Sequence, residues 1–124
     1  NGDTYEGHWE ENKRNGEGIQ IYKNGDKYSG AWLQGIRSGK GSQKYLNGDN
    51  YVGRFAEGLK NGQGKYTWKN GNTYDGSWAK DKMNGRGEYY WAKEGAKFNG
   101  QFQEGQITNI EIGAPVESPT EFPK

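Results

Sequence analysis

The sequence predicts an all-β protein, an elongated single-layer twisted antiparallel sheet built from successive hairpins. Three observations predict it. A unit of the form N-G-D-x-Y-x-G-x-W-x5-N-G-x-G recurs every 23 residues, beginning at Asn1, Asn24, Asn47 and Asn70. Hydrophobic residues make up only 29% of the chain and aromatic residues 15%, beside 22 glycines, so burial must come from rings on a sheet and not from an aliphatic core. Finally, the anchors of each unit alternate with polar residues at period two, which is the side-chain period of a strand. A fixed period in this range denotes a repeat array.

Each unit offers two strands. The first covers residues 3–10 and puts Tyr5, Gly7 and Trp9 on one face, with Thr4, Glu6, His8 and Glu10 on the other. The second covers residues 16–22 and puts Gly16, Gly18, Gln20 and Tyr22 opposite Glu17, Ile19, Ile21 and Lys23. Register follows from parity, because a slip of one residue turns a strand over. For all rings to share a face, Trp9 pairs with Gly16 across a six-residue loop at 10–15. Tyr22 then pairs with Asp26 across the three-residue loop Lys23-Asn24-Gly25, whose last residue takes the left-handed conformation open to glycine. The residue inserted in the fourth unit falls in the loop Ala92-Lys93-Glu94-Gly95, so Trp91 still faces Ala96.

This register draws rows across one face. One row holds Trp9, Trp32, Phe55, Trp78 and Phe102 alternating with Gly16, Gly39, Gly62 and Gly85. Beside it runs an all-glycine row containing Gly7, Gly18, Gly30, Gly41, Gly53, Gly64, Gly76, Gly87 and Gly100. The next holds Tyr5, Gln20, Tyr28, Gln43, Tyr51, Tyr66, Tyr74, Tyr89 and Phe98. A fourth holds Asp3, Tyr22, Asp26, Tyr45, Asp49, Trp68, Asn72, Trp91 and Ala96. The expected object is a glycine-floored furrow walled by rings, about 13 Å between the Trp and Tyr rows and so wide enough for an α-helix. Rings partly shield the glycines and still leave an apolar face without a covering layer, which marks an interaction surface.

The Y-x-G-x-W…N-G-x-G unit at this spacing resembles the membrane occupation and recognition nexus (MORN) repeat. Four units match over residues 1–92, and a degenerate half unit follows. The resemblance implies a sheet of successive hairpins and scaffold or adaptor work in cilia, flagella, cytoskeletal assemblies or membrane junctions. The repeats are similar to those of radial-spoke head proteins of this class. The acidic, proline-spaced ending also resembles that of some members of the family. The resulting division is a repeat array at 1–105 (units 1–23, 24–46, 47–69 and 70–93, then 94–105) and an extended Pro-containing tail at 106–124. The tail is expected to fold back on the sheet or to reach another protein, with Phe122 as its anchor. The chain starts without Met at a unit boundary, so further repeats are expected upstream.

Other functions are weighed against the same residues. Lys and Arg total 17 against 16 Asp and Glu, interspersed, which gives no field for nucleic acid. There is no cysteine and no apolar run of spanning length, read together as a reducing, cytosol-like setting. Asp3, Asp26 and Asp49 sit about 10 Å apart on successive repeats, too far to share an ion, and are expected to cap turns. Gly16-Glu17-Gly18 does not continue as a phosphate-binding loop. His8 is the only histidine and has no repeated nucleophile nearby. No catalytic residue, metal or cofactor is therefore expected.

The partner is expected to be an axonemal or cytoskeletal protein that lays a helix or extended segment in the furrow. Trp9, Trp32, Phe55, Trp78 and Phe102 would contact it from one side, and Tyr28, Tyr51, Tyr66, Tyr74 and Tyr89 from the other. Self-association through the sheet edges is a further expectation. The competing readings are an adaptor for anionic lipid through basic loops (Lys13, Arg14, Arg37, Lys40, Lys60, Lys80, Lys82, Arg86), and a regulatory domain appended to an enzyme.

Overall fold

The computed structural model describes residues 2–110, which form one antiparallel sheet of ten strands. The strands are β1 (Thr4–Glu10), β2 (Lys13–Ile21), β3 (Lys27–Leu33), β4 (Ile36–Lys44), β5 (Asn50–Ala56), β6 (Leu59–Thr67), β7 (Thr73–Ala79), β8 (Lys82–Trp91), β9 (Ala96–Gln103) and β10 (Gln106–Ile110). Order in the sheet is order in the chain. Every pairing is therefore a local hairpin, as the repeat predicts.

Between units the register is the expected one. Gly16 faces Trp32, Gly18 faces Gly30 and Gln20 faces Tyr28, and the same pattern holds from β4 to β5 and from β6 to β7. The Tyr22 amide donates to the Asp26 carbonyl and the Gly25 amide to the Tyr22 carbonyl, both at 2.9 Å, and Gly25 sits at φ 100°. The N-G-D sequence explains itself here. Asn24 Oδ1 accepts the Asp26 amide at 2.9 Å, closing an Asx turn within the loop. Asp26 Oδ1 accepts the Leu46 amide at 2.9 Å, in the corresponding turn of the next unit. Asp3 does the same for Lys23, Asp49 for Lys69 and Asn72 for Ala92. The aspartates do cap turns, and each caps the turn of its successor.

Within units the expected register holds from the Tyr to the Gly, as in Tyr5 with Gln20 and Gly7 with Gly18, and fails beyond it at the Trp or Phe. Trp9 faces Arg14, Trp32 faces Arg37, Phe55 faces Lys60 and Trp78 faces Met83. The anticipated six-residue loop is a two-residue turn with both residues at positive φ: Glu11 (49°) and Asn12 (67°), then Gln34 (47°) and Gly35 (86°) in the next unit. That is the type I′ geometry, whose twist matches the strands it joins. The spare residues are absorbed in a bulge, where Asn15, Gly16 and Glu17 stand against the single residue His8. The bulge glycine takes φ 82°, and Gly39, Gly62 and Gly85 take 89°, 97° and 94°. The bulge adds an even number of residues, so parity survives and Arg14, placed in a loop by the sequence, comes onto the aromatic face.

The sheet also takes in residues read above as the start of the tail. In β10, Ile107 pairs with Phe102 and completes the last hairpin. The rest of the tail, with Phe122, lies outside the described residues.

Candidate functional site

The repeat motif builds its own core. Tyr28 lies across Gly30 and Gly41, and Tyr5, Tyr51 and Tyr74 lie across the matching glycine pairs of their units. A Cβ on Gly18, Gly41, Gly64 or Gly87 would overlap the ring above it. Each phenol then donates to the carbonyl three residues on: Tyr5 to His8, Tyr28 to Ala31 and Tyr51 to Arg54 at 2.8 Å, and Tyr74 to Ser77 at 2.9 Å. The Trp or Phe four residues after each Tyr meets it edge to face, at 5.0 Å for Tyr28 and Trp32 and 5.2 Å for Tyr51 and Phe55. The same Tyr also meets the corresponding ring of the next unit, Tyr28 with Phe55 at 5.1 Å and Tyr51 with Trp78 at 5.5 Å. Trp32 and Trp78 donate Nε1–H to the carbonyls of Gly18 and Gly64. The result is one column of edge-to-face rings running from Trp9 to Phe102.

This column corrects the picture of an open furrow. Tyr28, Tyr51, Tyr74 and Tyr89 are 0% exposed, and Trp32, Phe55, Trp78 and Phe102 are buried with them. These eight expected contact residues are core: Tyr28, Tyr51 and Tyr74 lie over the glycine floor, and Arg14, Arg37 and Lys60 of the preceding unit lie over Trp32, Phe55 and Trp78. Burial drives the Tyr28 hydroxyl pKa up to about 12 and raises those of Tyr51, Tyr74 and Tyr89 as well. Among the expected wall residues only Tyr66, half-buried, and Trp9, 59% exposed, retain accessible surface. Trp9 lies on β1, the first strand of the described sheet.

The accessible trough lies above this core. One wall is the sequence of residues opposite the Trp/Phe anchors: Arg14, Arg37, Lys60 and Met83, followed by Ile107. The other wall is Tyr22, Tyr45, Trp68 and Trp91, all half-buried. Between them the floor carries Gln20, Gln43, Tyr66 and Tyr89, the first three of which meet the wall residue six positions before them. Arg14 donates to Gln20 Oε1 at 3.0 Å and Arg37 to Gln43 Oε1 at 2.6 Å, while Lys60 Nζ stands 5.4 Å from the Tyr66 ring centre. The second nitrogen of each arginine donates to the turn of the next unit, at the Gly35 and Gly58 carbonyls, and the Arg14 guanidinium lies 4.5 Å over Trp32.

A concavity of about 420 Å³ opens across the middle units, lined by Tyr22, Asn24, Asp26, Arg37, Gln43, Tyr45, Phe55, Lys60 and Asp81. Burial lowers the Lys60 pKa, and Asp81, 3.4 Å away, partly restores it. Burial likewise pushes Tyr45 up to about 12 against the pull of Arg37. Tyr66 donates to Asp49 Oδ2 at 2.7 Å, and its pKa is raised by burial first and then by that carboxylate.

The sequence placed Arg14, Arg37 and Lys60 in basic loops and Tyr22, Tyr45, Trp68 and Trp91 in a fourth row of the ring face, but named none of them, nor Met83, as a wall of the furrow. The signal that finds the basic wall is the two-residue pair after each Trp-x or Phe-x, such as Gln34-Gly35 and Glu57-Gly58, which marks a type I′ turn and resets the register. His8 is exposed on the opposite face, where its carbonyl receives Tyr5. Of the basic residues assigned to loops, Arg14, Arg37 and Lys60 are strand residues facing the trough.

Comparison with known protein families matches the MORN repeat four times, over residues 5–27, 28–50, 51–73 and 74–95. A search of curated proteins finds none that matches the chain. The matched segments cover most of the chain and share the observed repeat period. The chain belongs to the MORN-repeat family, whose repeats serve generally as non-enzymatic scaffolds that bind proteins or membranes.

Proposed function

We propose that the protein is a non-enzymatic adaptor that receives a helix or extended segment of a partner protein in the trough above its aromatic column. One observation carries this reading. A concavity of about 420 Å³ lies over the middle units, and half-buried rings extend the same face beyond it where an ordinary sheet face would carry solvated polar side chains. Tyr66 stands 4.8 Å from Trp68, Trp68 stands 5.4 Å from Tyr89, and Tyr89 stands 4.2 Å from Trp91. Half-exposed aromatic and arginine side chains are the residue types most often found as binding hot spots. The setting proposed with it, an axonemal complex of a cilium or flagellum, is supported by the resemblance of the repeats. The lipid-adaptor reading loses support, because three of the basic residues it needs turn into the trough.

The test is affinity capture of isolated axonemal proteins with the parent chain and with Trp68→Ala/Trp91→Ala, both first shown to have the same β-sheet circular dichroism. Capture of a defined axonemal component by the parent and its loss from the variant is the expected result. Equal capture by both baits refutes the trough as the docking site.

A further inference from the structure

The trough changes character along its length. On the basic wall the series runs Arg14, Arg37, Lys60, Met83. On the floor it runs Gln20, Gln43, Tyr66, Tyr89, and on the far rim the turn residues change from Asp3, Asp26 and Asp49 to Asn72. These changes are concerted. Where the wall is arginine the floor is the glutamine it binds. Where the wall is lysine the floor is a ring beneath its ammonium, and where the wall is buried methionine the floor is a buried tyrosine.

The cations at the first end are also uncommitted. Arg14 and Arg37 donate to amide and carbonyl oxygens, and neither guanidinium pairs with a carboxylate among the described residues. Lys60, by contrast, has Asp81. The rim carboxylates are already engaged, Asp26 by the Leu46 amide and Asp49 by the Lys69 amide and the Tyr66 hydroxyl.

From this gradient, and resting on the docking function proposed above, we infer that the trough binds an amphipathic peptide segment in one orientation. Its acidic end lies over Arg14 and Arg37, and its apolar end over the half-buried Trp68 and Trp91. A guanidinium already oriented by two hydrogen bonds is a fixed donor for a carboxylate. The ring-lined wall, Trp68 and Trp91 with Met83 opposite, carries no cation to compensate a buried carboxylate. The reversed orientation therefore strands the carboxylates on rings and the apolar side chains on arginines. The two halves are four strands apart, about 19 Å at roughly 4.8 Å per strand. The acidic and apolar clusters of the ligand are thus separated by about 13 residues if it is helical, or about 6 if it is extended.

The experiment is selection from a displayed library of random 20-residue peptides on the parent chain. Selected peptides are then photo-crosslinked from either end and measured in Glu→Lys and reversed-sequence forms. The expected peptides carry an acidic cluster at one end and aromatic or large aliphatic residues at the other. Their acidic end crosslinks to the first two units and their apolar end to the last two. Changing two Glu to Lys weakens binding at least about tenfold, as two paired charges become two repelled ones.

Peptides that bind the parent and not Trp68→Ala/Trp91→Ala, but lack the acidic cluster or crosslink evenly along the array, overturn the orientation and leave the docking function standing. Peptides that bind parent and variant equally, or a library that yields none, overturn both. Phosphatidylserine vesicles that displace the selected peptides would assign the arginines to a membrane surface and also overturn the inference.

Discussion

Replacing Gly41 with alanine isolates the step on which the whole core depends. Gly41 does not need a left-handed backbone, so alanine adds only a methyl group, and that methyl group overlaps the Tyr28 hydroxyl and ring. Tyr28 has nowhere to retreat. It is 0% exposed, held edge to face between Trp32 at 5.0 Å and Phe55 at 5.1 Å, with its hydroxyl fixed to the Ala31 carbonyl. Forcing a methyl group into a packed core costs about 1–3 kcal/mol. Expelling an aromatic side chain altogether costs about 3–5 kcal/mol. Gly41→Ala is therefore expected to cost about 3 kcal/mol in urea unfolding followed by far-ultraviolet circular dichroism. If the seat of the Tyr28 ring is the cause, then in a Tyr28→Leu background the same substitution costs at most about 1 kcal/mol, giving a coupling of about 2 kcal/mol between sites in contact. Strict additivity of the two substitutions would refute the reasoning, as would a Gly41→Ala protein within about 0.5 kcal/mol of the parent, the range of an inconsequential surface change.

Three further outcomes follow from the same geometry. Asp26→Ala removes the acceptor for the Leu46 amide and is expected to cost about 1–2 kcal/mol. Asp26→Asn should be nearly neutral, because Asn72 already performs this role for Ala92; a thermal melt of both variants checks the pair. Lys60→Met places at this position the residue its neighbouring unit carries as Met83. Although it deletes the ion pair to Asp81, the unfolding free energy should be unchanged or higher by up to about 1 kcal/mol, because desolvating the ammonium offsets what the pair returns. In alkali, the tyrosines with raised pKa keep their protons in the folded chain while the unfolded chain loses them from about pH 10. Stability is therefore full below pH 10 and falls as pH rises toward the folded values, about 12 for Tyr28 and above that for Tyr51, Tyr74 and Tyr89. Each group contributes a slope of about 1.4 kcal/mol per pH unit. Ultraviolet titration should show a step worth these four of the nine tyrosines appearing together with the loss of sheet. Ionisation of all nine in a chain that stays folded would contradict the burial.

Much of the fold was legible in the residues. The period, strand alternation and three-residue N-G loops are local rules, so Gly18 against Gly30 and Tyr51 against Tyr66 came from parity alone. What parity does not contain is the number of residues a strand can hide in a bulge. Two residues moved from loop to strand leave every side chain on its expected face, so the register from Trp9 to Arg14 was invisible to an argument about faces. That slip hid the site as well. With Arg14 and Arg37 assigned to loops, nothing remained to cover the tryptophans, and a furrow seemed open that the basic side chains in fact roof. The depth of a ring is equally absent from an alternation pattern. Tyr28 and Tyr45 alternate alike, yet one lies down across two glycines and is sealed while the other stands beside Tyr66 at 5.8 Å and meets solvent.

The N-G-D loop has a consequence for how the protein comes apart and together. Each Asp or Asn reaches past its own hairpin to hold the next one, as do the Tyr rings and the arginine bonds to the following turn, while the Trp32 and Trp78 N–H groups reach back to the preceding one. A hairpin taken alone keeps little of this and stands below the threshold for folding, whereas each one added to an existing stack closes a full set of clasps at once. Order should therefore spread along the chain like a zipper once two neighbours have met.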